Sequence, residues 1–178
     1  MLNFYEGIKK NKLKSFPKKN PYFKLPLRCV VASPSGSGKS NTMLYMISLL
    51  NMCFTKIIIC TKENESLYDQ LKETIDGVEI FENANILSIK DYDNETSKLI
   101  IFDDLVLESR NVQARIGDFY IRGRKAGFSM CYRSQVYYDL NMIVREYEGD
   151  IDKDELIRIY KRATSEPLNT LMIDMVVW

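Results

Sequence analysis

Residues 33–40 read SPSGSGKS, and this stretch decides the fold. It follows a short apolar run, LPLRCVVA at residues 25–32, which is typical of a buried strand. Residues 39–52 (KSNTMLYMISLLNM) then place apolar side chains at helical spacing: Met43, Leu44, Ile47 and Leu50. A strand, a glycine-containing loop and a helix in this order predict a phosphate-binding loop, because successive backbone N–H groups and a helix N-terminus attract an anion.

The residue types in this loop suit phosphate chemistry. Gly36 and Gly38 permit backbone angles that other residues avoid. Lys39 is expected to reach the β- and γ-phosphates of a nucleotide, and Ser40 to place its hydroxyl on Mg²⁺. The strict motif G-x-x-x-x-G-K-[ST] has glycine where this chain has Ser33, and the alternative interpretation is a Ser/Gly-rich turn with a capping serine. The predicted phosphate-binding residues are Ser33, Pro34, Ser35, Gly36, Ser37, Gly38, Lys39, Ser40 and Asn41.

Further polar residues follow later apolar runs. Asp103 and Asp104 end the run LIIF, at what we expect to be a neighbouring strand. Asp103 is predicted to hold Mg²⁺ through the water shell of the ion, and Asp104 to orient or deprotonate the attacking water. Gln135 is predicted to hydrogen-bond the γ-phosphate or that water, and Arg124 to neutralise transition-state charge in its own subunit or a neighbouring one. The alternative for both is a solvated polar residue at a strand end.

Strand and helix patterns alternate along the chain. Strands are predicted at residues 25–32, 56–61, 78–81, 98–102 and 128–132, and helices at 39–52, 66–74, 109–122 and 153–163. A last apolar run occupies residues 171–177. This alternation predicts an α/β fold, with a mainly parallel sheet between two layers of helices.

Composition excludes several kinds of chemistry. The 178 residues contain no histidine, which excludes Ser-His-Asp and Cys-His catalysis and histidine-ligated zinc. The guanine-specific N-K-x-D pattern is absent, which disfavours a GTPase. Four cysteines adjoin apolar or aromatic residues without a C-x-x-C pair, so we expect buried, reduced thiols: Cys29, Cys53, Cys60 and Cys131. No apolar run approaches the roughly 20 residues needed to span a bilayer, and the N-terminus lacks a signal-peptide core, so we expect a soluble, intracellular protein without a membrane span.

Charge is distributed unevenly despite a net charge of +1. Residues 1–28 carry eight Lys and Arg residues against one acidic residue, and residues 110–125 carry five against one. We divide the chain into a basic N-terminal arm, residues 1–24, and an ATPase-like domain, residues 25–178. The arm is predicted to meet phosphates or an acidic neighbour, and the alternative is a solvated extension.

Taken together, these motifs resemble a known family. The order SPSGSGKS, KIIIC, LIIFDDL, IRGRKAGFS and SQ, followed by the stretch from DLNMI to MIDM, is similar to genome-packaging ATPases of large DNA viruses, virophages and related mobile elements. These belong to the FtsK–HerA superfamily of P-loop NTPases, which have a RecA/FtsK-like fold. The resemblance covers residues 22–178, and its more specific sign is the glycine-arginine segment before a strand that ends in Ser-Gln.

The resemblance implies a Mg²⁺-dependent ATPase that moves double-stranded DNA into a capsid without sequence preference. It implies ATP and Mg²⁺ as cofactors, a homo-oligomeric ring, capsid proteins as partners, and a location in the host cytoplasm, viral factory or virion. By this resemblance Lys39 and Ser40 bind phosphate and Mg²⁺, Asp103 holds Mg²⁺, Asp104 takes the acidic catalytic position after it and Gln135 is the sensor.

The chain departs from the family pattern at four places. Ser33 replaces glycine, Lys125 replaces the usual histidine, and Arg133 stands at a commonly apolar position. About twenty residues, a loop plus the fifth core strand, are missing after Tyr138. Either the apolar run at 171–177 replaces that strand or the sheet is open there. Two alternatives therefore remain: a family member that binds nucleotide or capsid partners without hydrolysis, and a nucleoside kinase, although no lid segment is evident.

Overall fold

The structure is a computed structural model that describes residues 20–50, 52–135, 153–166 and 170–174. Most of the predicted basic arm, residues 1–19, lies outside the described residues. So do residues 136–152, where the resemblance led us to expect an additional segment.

A six-stranded sheet organises the chain, in the order β3-β2-β4-β5-β1-β6. Its inner strands are continuous runs of buried residues, as in KIIICT and KLIIFD, because helices cover both faces of the sheet. All the described pairings are parallel except that of β6 with β1. The strands are β1 (Arg28–Ala32), β2 (Lys56–Thr61), β3 (Val78–Phe81), β4 (Lys98–Asp103), β5 (Phe128–Ser134) and β6 (Leu171–Asp174).

Four described helices cover this sheet: α1 (Lys39–Leu49), α2 (Ser66–Thr74), α3 (Arg110–Arg122) and α4 (Lys153–Ala163). Apolar side chains of α1 and α2 pack into one core cluster, and those of α3 and α4 pack into another. The sheet supplies alternate residues to the two clusters. The predicted three-layer α/β architecture is therefore confirmed. Among the described residues, no helix is both long and apolar enough to cross a bilayer.

The last strand decides between the two alternatives for the sheet edge. β6 pairs antiparallel with β1, placing Leu171 opposite Ala32 and Asp174 opposite Cys29. The apolar run near the end of the sequence thus covers the outer side of the strand that precedes the phosphate-binding sequence.

The position of β4 corrects one expectation. The strand that ends at Asp103 is not adjacent to β1, because β5 lies between them. Arg133 on β5 is consequently paired with Val31 on one side and with Asp103 on the other. Arg133 therefore lies between the strand that leads into the phosphate-binding loop and the strand that ends at the acidic pair.

Element ends differ slightly from the predicted ones. α1 ends at Leu49 rather than at residue 52. α3 begins at Arg110, because the Ser109 side chain caps it by accepting a hydrogen bond from the Val112 N–H at 3.5 Å. β5 continues to Ser134, since its last residues pair with both β4 and β1.

We predict that Gly127→Ala destabilises the domain by about 1–3 kcal/mol. Gly127 has a φ of 80° before β5, and a Cβ there would lie 2.5 Å from the Thr96 carbonyl oxygen. Gly117 is the matched control, because a Cβ there meets nothing within 4 Å and helix α3 favours alanine. Urea denaturation should show a lower midpoint for Gly127→Ala and an equal or higher one for Gly117→Ala. Equal midpoints for the two variants would contradict the prediction.

Candidate functional site

A crevice of about 650 Å³ opens where β1, β2, β4 and β5 end. Open α/β sheets bind ligands at the carboxyl ends of their strands. Three segments line the crevice: the loop into α1, the chain that follows β2, and the ends of β4 and β5. The lining residues are Ser35, Gly36, Gly38, Lys39, Ser40, Asn41, Thr61, Lys62, Glu63, Asn64, Glu65, Asp103, Asp104, Arg133 and Gln135.

The loop between β1 and α1 presents an uncapped helix N-terminus to this crevice. Gly36 and Gly38 adopt φ values of 75° and 77°, in the left-handed region. Gly38 stands at the N-cap of α1, and no side chain caps the helix. The first turn of a helix has N–H groups without intrahelical acceptors. The loop therefore offers several N–H donors and a positive dipole end to an anion.

Three of the predicted residues stabilise the loop and do not line the crevice. Ser37 folds it back, since its N–H and Oγ both donate to the Pro34 carbonyl oxygen, at 3.3 and 2.6 Å. Ser33 is fully buried, and its N–H donates to the Ser134 carbonyl oxygen at 3.2 Å. Its Oγ has no hydrogen-bond partner in the described part of the chain. Ser33, Pro34 and Ser37 do not line the crevice, whereas the six other predicted residues do.

Lys39 is the basic residue at the start of α1. Its Nζ is 3.4 Å from the Ser33 carbonyl oxygen, inside the loop. Burial lowers the pKa of Lys39, and the nearby Asp104 opposes this effect. A lysine whose charge is disfavoured by burial gains from a bound anion, because the anion stabilises the ammonium form. This environment suits phosphate binding.

A buried network surrounds Asp103. Its Oδ2 accepts a hydrogen bond from the Tyr68 hydroxyl, and it lies 3.1 Å from Nη1 of Arg133. Arg133 Nη1 also donates to the Tyr68 oxygen. Burial raises the pKa of Asp103, and the Arg133 charge opposes that rise. The carboxylate is thus neutralised by a neighbouring side chain of its own chain.

The Ser40 hydroxyl is engaged on both sides. It donates to Glu65 Oε2 at 2.9 Å and accepts from Arg133 Nη2 at 3.2 Å. The guanidinium therefore spans the space between Ser40 and Asp103, the two residues predicted to serve Mg²⁺. Mg²⁺ requires oxygen ligands at about 2.0–2.1 Å in near-octahedral geometry. These side chains, as arranged, do not fit that ion, and within the described ranges no group of three or more Asp, Glu, Cys or His side chains could hold a metal ion.

Asp104 and Gln135 meet at the mouth of the crevice. Gln135 Nε2 donates to Asp104 Oδ2 at 2.6 Å, and the Gln135 N–H lies 3.3 Å from Oδ1. Asp104 adopts a φ of 54°, and its N–H donates to the Arg133 carbonyl oxygen at 2.9 Å. The two side chains therefore lie together, where a water beside a terminal phosphate would need an acceptor and an amide donor.

Arg124 lies away from this crevice. It is exposed in the 3-10 turn Gly123–Ala126, which precedes β5, whereas the crevice lies at the other end of that strand. Seven residues of extended chain span about 23 Å. Arg124 cannot serve the site of its own chain, so its role in a neighbouring copy stays a prediction.

Sequence reasoning missed the part of the site that follows β2, of which Glu65 and Tyr68 make the contacts described above. Both follow β2, a strand predicted correctly, and Glu65 is the N-cap residue of α2. The available signal was the polar stretch KENES directly after KIIICT, because the carboxyl ends of parallel strands share one edge. Arg133 was noted only as a departure from the family pattern.

Comparisons with known proteins give little beyond the fold. The sequence matches no protein-family profile. No curated protein is significantly similar to it either. Among solved structures, the cytoplasmic domain of the Thermomonospora curvata Type VII secretion ATPase EccC superposes with a TM-score of 0.49 and 15% identity. That match covers 65% of this chain and 19% of the EccC chain, so the present chain matches about a fifth of that protein's length.

Proposed function

We propose that this chain binds a nucleoside triphosphate, ATP by the family resemblance, in the crevice at the carboxyl edge of the sheet. The observation that carries the proposal is the uncapped N-terminus of α1, with Lys39 and two left-handed glycines opening onto that crevice. Backbone N–H groups, the helix dipole and a lysine together form an anion site of the kind that holds nucleotide phosphates. A volume of about 650 Å³ is within the range of small-molecule sites.

We further propose that ATP turnover drives double-stranded DNA into a capsid. Several copies of the chain would form a ring that acts in the host cytoplasm or viral factory. The support is the motif resemblance and four exposed basic residues on α3 and the turn after it, of which Arg122 also pairs with Asp118: Arg110, Arg122, Arg124 and Lys125. Contacts to DNA phosphates carry no sequence information, as a packaging motor needs.

A second function is a nucleotide-binding protein of virion assembly that does not hydrolyse ATP. The observation that favours it is the engagement of Asp103 by Arg133 and Tyr68. The oxygen held in this way already serves a hydroxyl donor and a guanidinium, so it is less available to a metal ion. Asp104 and Gln135 would then help to bind the nucleotide rather than position an attacking water.

Phosphate release, measured with and without duplex DNA at low salt, separates these functions. A motor should show turnover that DNA stimulates, and the stimulation should fall when Arg110, Arg124 and Lys125 are changed to alanine. The matched control changes Lys72, Lys90 and Lys161 to alanine, which removes the same charge from exposed positions that do not line the crevice. ATP binding without phosphate release under either condition favours the second function. Unstimulated turnover that both triple variants share would contradict the DNA role.

A further inference from the structure

We propose that the Arg133 guanidinium takes the place of the divalent cation in this site, so that ATP binds without Mg²⁺. This inference rests on the proposed nucleotide binding, and it assigns to Arg133 the positive charge that a metal ion would otherwise supply to the nucleotide. It follows from the contacts that Arg133 makes between the phosphate-binding loop and the acidic strand.

The position of Arg133 is the first support. Its Nη2 lies 3.2 Å from Ser40 Oγ and its Nη1 lies 3.1 Å from Asp103 Oδ2. These are the two side chains that a cation at the β- and γ-phosphates would use. The strand order imposes this placement, because β5 lies between β1 and β4 and pairs Arg133 with Asp103.

The second support is that the neighbouring polar groups already have hydrogen-bond and ion-pair partners. The Ser40 hydroxyl has used its proton on Glu65 and a lone pair on Arg133. The same Asp103 oxygen accepts from Tyr68 and pairs with Arg133. A metal ion that used this Asp103 oxygen or the Ser40 hydroxyl would have to compete with these contacts.

Burial makes that displacement costly. Arg133 is 1% exposed, and Asp103 is 6% exposed. An arginine stays protonated in proteins, so moving Asp103 to a metal ion would leave a buried positive charge without its counter-ion. A divalent cation beside the guanidinium would add repulsion between like charges.

The rest of the phosphate site needs no metal ion. Lys39 and the N–H groups at the start of α1 face the crevice, and none of them is engaged by the Arg133 network described above. Their positive charge and donors act directly on phosphate oxygens. Arg133 supplies a further fixed positive charge at the crevice wall.

The test is ATP affinity, measured by calorimetry on the full chain in excess EDTA and in excess MgCl₂ at equal ionic strength. The wild type should bind ATP with dissociation constants that differ by less than about threefold between the two buffers. Arg133→Leu frees Ser40 and Asp103, so Mg²⁺ should tighten its ATP binding by about tenfold or more. Arg162→Leu, the same change at an exposed arginine of α4 outside the crevice, should behave as the wild type does.

Each outcome has a definite meaning. Wild-type binding that requires Mg²⁺ overturns the role of Arg133 while leaving nucleotide binding intact. Absence of ATP binding in both buffers overturns the proposed function and this inference together. The wild-type comparison needs no variant, so it decides even where Arg133→Leu fails to fold. Arg133→Lys, which keeps the charge, then serves as the second variant and should retain the metal independence.

Discussion

Lys39→Ala should weaken ATP binding by about 10- to 150-fold, the equivalent of one charge-assisted hydrogen bond of about 1.5–3 kcal/mol. Lys39 is the first residue of α1 and lines the crevice beside the glycine loop. Its ammonium group is partly buried, and this burial lowers its pKa. Because the charge is poorly solvated there, it interacts strongly with a bound phosphate. Calorimetric titration of ATP into each protein measures the difference.

Two controls isolate the site. Lys72→Ala removes the same charge from an exposed position on α2 that does not line the crevice, and it should leave the dissociation constant unchanged. Lys39→Arg keeps the positive charge and should lose less affinity than Lys39→Ala. If Lys39→Ala binds ATP as the wild type does, the crevice is not the nucleotide site.

Phe119→Ala should lower the free energy of unfolding by about 3–5 kcal/mol, the usual cost of removing a buried aromatic ring. Phe119 is 1% exposed on the face of α3 that packs on the sheet. Its ring makes edge-to-face contacts with Phe128 at 5.0 Å, Phe102 at 5.7 Å and Tyr92 at 6.5 Å between centroids. The variant loses these contacts and leaves a cavity between α3 and the sheet.

Ile121 provides the matched control for this prediction. It lies on the same helix two residues away, but it is 80% exposed. Ile121→Ala should change the free energy of unfolding by less than about 0.5 kcal/mol. Urea unfolding followed by circular dichroism measures both variants. Similar losses for the two would show that α3 does not pack on the sheet through Phe119.

The sequence predicted the elements well for a physical reason. A strand covered on both faces must be apolar along its whole length, and KIIICT and KLIIF satisfy this rule without reference to any other part of the chain. The helices of the sheet faces show apolar side chains at helical spacing for the same reason. The ends of α1 and β5 were less predictable, because pairing and packing partners decide where an element ends.

Most of the candidate site was also predictable. Lys39, Ser40, Asp103, Asp104 and Gln135 line one crevice, as expected of residues that follow strands in a parallel sheet. Arg124 is the exception for the site of its own chain, since it precedes its strand and lies at the opposite edge. Glu65 and Tyr68 were missed because the polar stretch KENES after KIIICT marks only the end of a strand, and which side chains near it enter the site depends on the tertiary structure.

By itself, the sequence determined that this is an α/β chain with a phosphate-binding sequence after its first strand and an acidic pair after a later one. Those features depend on neighbours along the chain, namely apolar runs, helical spacing and glycine positions. Only the tertiary structure decided that β5 lies between these two strands and that Arg133 bridges Ser40 and Asp103. Strand order depends on contacts between residues far apart in sequence, and the partner of a buried charge is set by that order.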